Sequence, residues 1–242
     1  MSLPRFLVPQ LPPDDAYLLE GPEGHHASAV QRLRVGERLT LADGRGGTAR
    51  AEVTAVGRGT LTLRIDERRY EQPPDPRLVV VQGLAKGERG ELAVQAMTEA
   101  GVDEIVPWSA ARSVVLWRGE RGARSRERWV TTAREATKQA RRAWLPVVAE
   151  TASTAQVARR LAAAAAALVL HEAATTPLSA VELPGTGEIA LVVGPEGGIA
   201  DQELDEFAAV GARPVRLGPT VLRTSTAGVA ALAVLSARLG RW

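Results

Sequence analysis

The sequence contains no cysteine, which excludes disulfides and cysteine-based zinc sites. Its only histidines are His25, His26 and His171, so a histidine-built metal site is not expected and no metal is predicted. Long apolar runs are missing too: the longest, "LAAAAAALVL", has ten residues, against the roughly 20 that a membrane helix needs. The opening "MSLPRFLVPQLPP" lacks the basic and long apolar regions of a secretory signal, and Pro4, Pro9, Pro12 and Pro13 break it. A soluble cytoplasmic protein with no membrane partner is the expectation. Lysine is scarce as well. Lys86 and Lys138 are the only two, so arginine carries nearly all the base.

The formal net charge is only +2, but it is unevenly spread. Between Arg112 and Arg142, nine arginines and Lys138 stand against Glu120, Glu127 and Glu135, a local balance of 10 − 3 = +7. A concentrated basic segment is the footprint of a polyanion partner, usually nucleic acid, although a solvated helix face would read the same way.

Residues 37 to 66 alternate apolar and polar side chains around glycine-rich turns, the pattern of short antiparallel strands joined by hairpins. "YEQPPDPR" has the composition of a linker and divides the chain into 1–73 and 74–242. After it the rhythm changes. The apolar runs "RLVVVQGLA", "VDEIVPW", "ALVLH", "EIALVV" and "RPVRLG" read as strands. Helix patterns lie between and after them: one with Leu92, Ala96, Met97 and Ala100 on its apolar face and Gly101 as its stop, then about 124–142, 154–166, 201–210 and 224–239. This alternation predicts an α/β domain with a mostly parallel sheet behind a small β-domain.

In such sheets ligands gather where loops leave the carboxyl ends of strands. Three loops qualify: "LHEAATTP", "GPEGG" and "LGPTVLRTSTAG". Glycines let the backbone approach a ligand closely, and Pro195 stiffens its turn. A phosphate is the usual guest of a glycine turn ahead of a helix. Here Glu196 in the turn, and Asp201 and Glu203 in the first helical turn, oppose it. The dinucleotide fingerprint G-x-G-x-x-G is absent, which disfavours a nucleotide-dependent oxidoreductase. A phosphate-free cation suits this surrounding better, and S-adenosylmethionine, with its sulfonium, is a candidate; a turn that merely reverses the chain is the plain alternative.

The motifs add a resemblance. "GPEGG" with Glu203, then "LGPTVLRTSTA", is similar to the carboxy-terminal signature of the RsmE family, SPOUT-class methyltransferases that methylate N3 of a uridine in small-subunit ribosomal RNA. "KGERGEL", "TEAGVDEIVP", "EATKQARRAWLP" and the pattern of His26, Val30 and Arg32 extend the likeness over nearly the whole chain. The resemblance implies a PUA-like β-barrel followed by a SPOUT α/β domain with a trefoil knot, a homodimer, S-adenosylmethionine as cofactor and 16S rRNA or the small ribosomal subunit as partner. One position departs: family members often carry glutamate in "LRTETA" where Ser225 stands here.

By the same resemblance the cofactor pocket would comprise Leu170 and His171, then Gly194, Pro195, Glu196, Gly197, Gly198 and Ile199, then Leu217, Gly218, Val221, Leu222, Arg223, Thr224, Ser225, Thr226 and Ala227. Methyl transfer to N3 requires that nitrogen to lose its proton, and the charge then spreads over both uracil oxygens. A fixed cation stabilises it. Arg223 is the candidate for that role, with a phosphate contact or a pair with Glu196 as its alternative. Glu196 is a candidate base or cofactor holder, and His171 a second candidate base. His26, Arg32, Arg34, Lys86, Arg89, Arg112, Arg128, Gln139, Arg141 and Arg142 are candidate RNA contacts, most of them to phosphate. Trp108, Trp117, Trp129 and Trp144 lie in or beside the basic stretch, where base stacking is possible but burial is the commoner fate. Ser225 leaves open a second function, a non-catalytic RNA-binding or ribosome-assembly protein on the same scaffold.

Overall fold

The computed structural model describes residues 3–242. They form two compact units, the described residues up to Pro73 with Thr137–Leu145, and Pro74–Ala136 with Pro146–Trp242.

The first unit holds strands β1 (Arg5–Leu7) and β2 (Ala16–Leu19), helix α1 (Gly21–His25) running into a π-helical turn over His26–Val30, and strands β3 (Arg38–Ala42), β4 (Gly47–Gly57) and β5 (Thr60–Tyr70). They make one sheet in the order β1-β3-β4-β5-β2, antiparallel except for β1 beside β3. The alternation in the sequence becomes two faces, as a pleated strand requires. Ala49, Ala51 and Val53 of β4 and Leu61, Leu63 and Ile65 of β5 are buried with Phe6, Leu39 and Leu41. Strands β1 and β2 lie outside the stretch whose alternation predicted strands.

The stretch 137–145, expected within 74–242, groups instead with this first unit. The Gly46 N–H donates to the Ala143 carbonyl, the Leu145 N–H to Gly44 and the Trp144 indole to Glu71. The Lys138 ammonium meets the Glu23 carboxylate at 3.1 Å, with side chains only 9% and 13% exposed. Gly46 makes the docking possible, because a Cβ there would lie 2.8 Å from the Trp144 ring.

The second unit contains β6 (Arg77–Gly83), α2 (Arg89–Glu99), β7 (Glu104–Trp108), α3 (Gly119–Gln139, its end counted with the first unit), β8 (Val147–Val148), α4 (Thr154–Ala163), β9 (Ala166–Leu170), β10 (Glu188–Val193), α5 (Asp201–Ala209), β11 (Arg213–Val215) and α6 (Thr224–Arg238). Every pairing in the sheet β11-β9-β10-β6-β7-β8 is parallel. Both faces are covered, so the strands are apolar throughout rather than alternating. Leu78, Val80, Ile105 and Leu191 enter a core with Met97, Trp129 and Leu232. Val79, Val81, Val106 and Val192 enter the other with Val157 and Phe207.

Helix α2 stops where its glycine predicts, with Gly101 at φ 92°. Its buried face, however, is Gly90, Ala93, Val94, Met97 and Thr98. Leu92, expected in the core, is 51% exposed, because spacing alone does not tell which of two adjacent helical stripes meets the sheet.

At the amino ends of the strands, Arg160 of α4 bonds the carboxylates of Glu104 (2.5 and 2.8 Å) and Glu188 (2.7 and 2.8 Å). Arg77 adds a contact to Glu104 at 3.0 Å. Burial of Glu104 works against its charge, but the hydrogen bonds and charges of Arg160 and Arg77 outweigh it and hold the carboxyl below its ordinary range.

Candidate active-site cleft

At the carboxyl ends of the strands, the loops after β9, β10 and β11 meet around one cleft of about 820 Å³. It lies beside the point where the strand order reverses, between β6 and β10, the usual place for a ligand in an open α/β sheet.

Two close approaches hold the loops there. A Cβ on Gly83 would sit 2.5 Å from the Pro195 nitrogen, so the end of β6 packs backbone to backbone against the Gly194–Pro195 turn only because residue 83 is glycine. The buried Thr224 hydroxyl then donates to the Gly194 carbonyl at 2.8 Å and accepts from the Gln82 amide at 2.8 Å. Gln82 and Thr224 thereby join β6, the glycine turn and the start of α6.

The glycine turn is pinned from both sides. Glu196 accepts from the Lys86 N–H at 3.1 Å and from the Arg89 guanidinium at 3.0 Å. Burial pushes the Glu196 carboxyl up, but these bonds and its own backbone N–H prevail, so it is held below the ordinary carboxylate range. That makes it a firmly ionised and weakly basic group. Glu203, in the first turn of α5 as the sequence places it, is 4% exposed. Its carboxylate accepts from the Ala111 N–H, the Thr154 hydroxyl and the Ala200 N–H, which is how a buried charge is tolerated. Arg112 donates to the Ile199 carbonyl at 3.2 Å. The strongly acidic surrounding read from the sequence is thus corrected: Arg89, Arg112, Arg216 and Arg223 line the cleft with Glu172, Glu196 and Asp201.

Of the residues predicted for the pocket, Leu170, His171, Gly194, Pro195, Glu196, Gly197, Gly198, Ile199, Leu217, Gly218, Val221, Leu222, Arg223, Thr224 and Ala227 all line this cleft. Ser225 and Thr226 do not: the first is buried, the second exposed on the opening turn of α6. The Arg223 side chain has no hydrogen bond or ion pair among the described residues, and Glu196 is engaged by Arg89 instead. His171 accepts the Ala173 N–H on Nδ1 at 3.3 Å.

The predicted RNA contacts fall in two places. His26, Arg32, Arg34, Gln139, Arg141 and Arg142 belong to the first unit. His26 stands edge-on to Phe6, and the exposed Arg32 and Arg141 adopt positive φ, 57° and 54°. Lys86, Arg89, Arg112 and Arg128 belong to the second unit, where Arg128 pairs with Glu91. Trp108 and Trp129 are buried, Trp117 is half-buried and Trp144 is committed to Glu71. Neither Gln82 nor Thr154 carried a sequence signal, since each acts through partners distant in the chain.

The RNA methyltransferase domain family matches residues 72–236, and the RNA methyltransferase PUA domain family matches residues 19–66. The chain is 46% identical to the ribosomal RNA small subunit methyltransferase E of Mycobacterium bovis, over 98% of this chain and 92% of that protein. It is 30% identical to the protein of that name from Bacillus subtilis, over 91% and 89%. Among solved structures, the ribosomal RNA small subunit methyltransferase E of Neisseria gonorrhoeae bound to S-adenosyl methionine superposes with a TM-score of 0.85 at 26% identity, over 98% of each chain. A PUA domain and a parallel α/β methyltransferase domain, with the three motif loops gathered at the carboxyl edge of its sheet, place the chain in the ribosomal RNA small subunit methyltransferase E family.

Proposed function

We propose that the protein transfers a methyl group from S-adenosylmethionine to N3 of one uridine in the 16S RNA of the small ribosomal subunit. The observation that carries this reading is the meeting of the three motif loops at one cleft. The residues present fit the cofactor: the glycines of the turn let a ligand approach the backbone, and Glu172, Glu196 and Asp201 keep carboxylates in a cleft wall that also carries arginines. Leu170, the turn Gly194–Ile199 and the segment Leu217–Ala227 would hold it, largely through backbone. S-adenosylmethionine supplies, when bound, an electrophilic methyl group on a cationic sulfur.

The methyl group would pass from the sulfonium to N3, the sulfur keeping the C–S electron pair, and the N3 proton would pass to His171 or to water at the cleft. Arg223, unpaired at the cleft wall, stabilises the negative charge on the uracil oxygens. Glu196, weakly basic and bound to Arg89, positions the turn and Arg89 rather than removing the proton. Holding N3 in line with the methyl supplies several kcal/mol, about 7–11 for ideally oriented pairs. The target base is swung out of its stack to reach the cleft.

The same reading makes 1–73 a PUA-like barrel that binds RNA and 74–242 the catalytic SPOUT domain, with its carboxy-terminal segment threaded as a trefoil knot. The protein acts in the cytoplasm as a homodimer. Ser225, buried outside the cleft wall, takes no group away from the site, which favours catalysis over a non-catalytic assembly role.

Incubation with methyl-labelled cofactor and undermethylated small subunits, followed by nucleoside digestion, tests this. Label in N3-methyluridine from one position is expected. Label in ribose methyl groups only, or none, overturns it.

A further inference from the structure

A second groove, of about 1050 Å³, is lined in part by the loop that carries Lys86. The two depressions share this loop: the Lys86 backbone N–H holds Glu196 of the first, while Lys86 itself lines the second. The half-buried indole of Trp117, braced edge-to-face by Trp129 at 4.9 Å, lies in the groove with the exposed Leu116. Lys86, Arg121 and Arg128 supply positive charge there, against Glu88 and Glu91, a local balance of 3 − 2 = +1. Arg128 is matched by Glu91, but the Lys86 ammonium and the Arg121 guanidinium have no ion pair among the described residues.

A protein partner closing over this groove would bury two unmatched cations, which costs several kcal/mol per ion unless they are paired. A second copy of this chain, docking groove to groove, would set three cations and two carboxylates against the same set, which leaves a net positive charge on both sides. A ribonucleotide strand answers both features, since every base has a face to stack on an indole and every phosphate pairs a cation. We infer that this groove is a second RNA subsite, taking a nucleotide beside the methylated one, with its base against Trp117 and its phosphates on Lys86 and Arg121. The inference rests on the RNA methyltransferase reading and adds where the flanking strand runs.

The test uses the full chain and undermethylated small ribosomal subunits, with binding measured across a salt series. Losing two phosphate contacts lowers the slope of log affinity against log salt by about 1.4–1.8. Lys86→Gln with Arg121→Gln should show that change and a raised KM for subunits. Trp117→Leu, which retains apolar volume against Trp129, should weaken binding by about tenfold or more. An unchanged slope in a folded, active double variant overturns the subsite. So does a change in sedimentation from dimer to monomer without a change in slope, which would make the groove a protein interface. Failure of the unaltered protein to methylate subunits would instead sink the functional reading.

Discussion

Replacing Thr224 by valine keeps the volume of the side chain and deletes its hydroxyl, so it isolates the hydrogen bonds that tie α6 to the glycine turn. The residue is 6% exposed, and its hydroxyl bonds both the Gly194 carbonyl and the Gln82 amide at 2.8 Å. The Gln82 amide keeps a bond to the Gly83 carbonyl at 3.2 Å, whereas the Gly194 carbonyl loses the partner described for it. Leaving a buried group unsatisfied costs about 1–3 kcal/mol, so a loss of about 2 kcal/mol in stability is expected, with partial compensation at Gln82. The turn and the start of α6 both line the cleft, so cofactor affinity should fall as well, by about tenfold if about 1.4 kcal/mol of the loss is felt on binding. Urea unfolding and titration calorimetry give the two numbers. Combining Thr224→Val with Gln82→Leu should cost less than the sum of the two, because both remove one shared bond. Strict additivity, or a variant with unchanged stability and affinity, would refute the idea that this bond holds the cleft together.

Gly83→Ala forces a methyl group to within 2.5 Å of the Pro195 nitrogen and should weaken cofactor binding measurably in calorimetry, at about 1–3 kcal/mol of stability. Arg160→Met strands Glu188 and leaves Glu104 with Arg77 alone, and should cost about 3–5 kcal/mol in urea unfolding, while methyl transfer by the folded fraction persists. Because the folded Glu104 pKa lies below its unfolded value, its stabilisation is present at neutral pH and is lost as pH falls through the acid range; Arg160→Met should flatten that acid decline in stability. Glu196 is likewise held ionised at neutral pH, so Glu196→Gln should leave the shape of the pH–rate profile above pH ~6 unchanged while lowering cofactor affinity. Loss of the acid limb, the fall in rate at low pH, in that variant would make Glu196 the proton acceptor after all.

Much of the second unit was legible because its strands are continuous apolar runs and its helices keep a strict period, two local signals. The motif loops were legible for a related reason: glycine and proline at a strand end constrain the backbone wherever the chain goes next. The burial of Glu203 was not legible, because an acid in a first helical turn looks the same whether it faces water or, as here, three buried donors. The strong negative field expected at the turn failed for lack of one distant fact, that Arg89 reaches Glu196 across 107 positions. The Arg160 cluster and the docking of 137–145 on the first unit are equally non-local. Leu92 failed differently, since a helix carries more than one stripe and the sheet selects among them.

The most direct test of the central claim is a crystal structure of the protein with S-adenosylmethionine. The account predicts the cofactor within the cleft formed by the turn Gly194–Ile199 and the segment Leu217–Ala227, its sulfonium methyl directed toward the Arg223 side. Cofactor bound elsewhere, or a methyl group turned away from Arg223 into the protein, would contradict it.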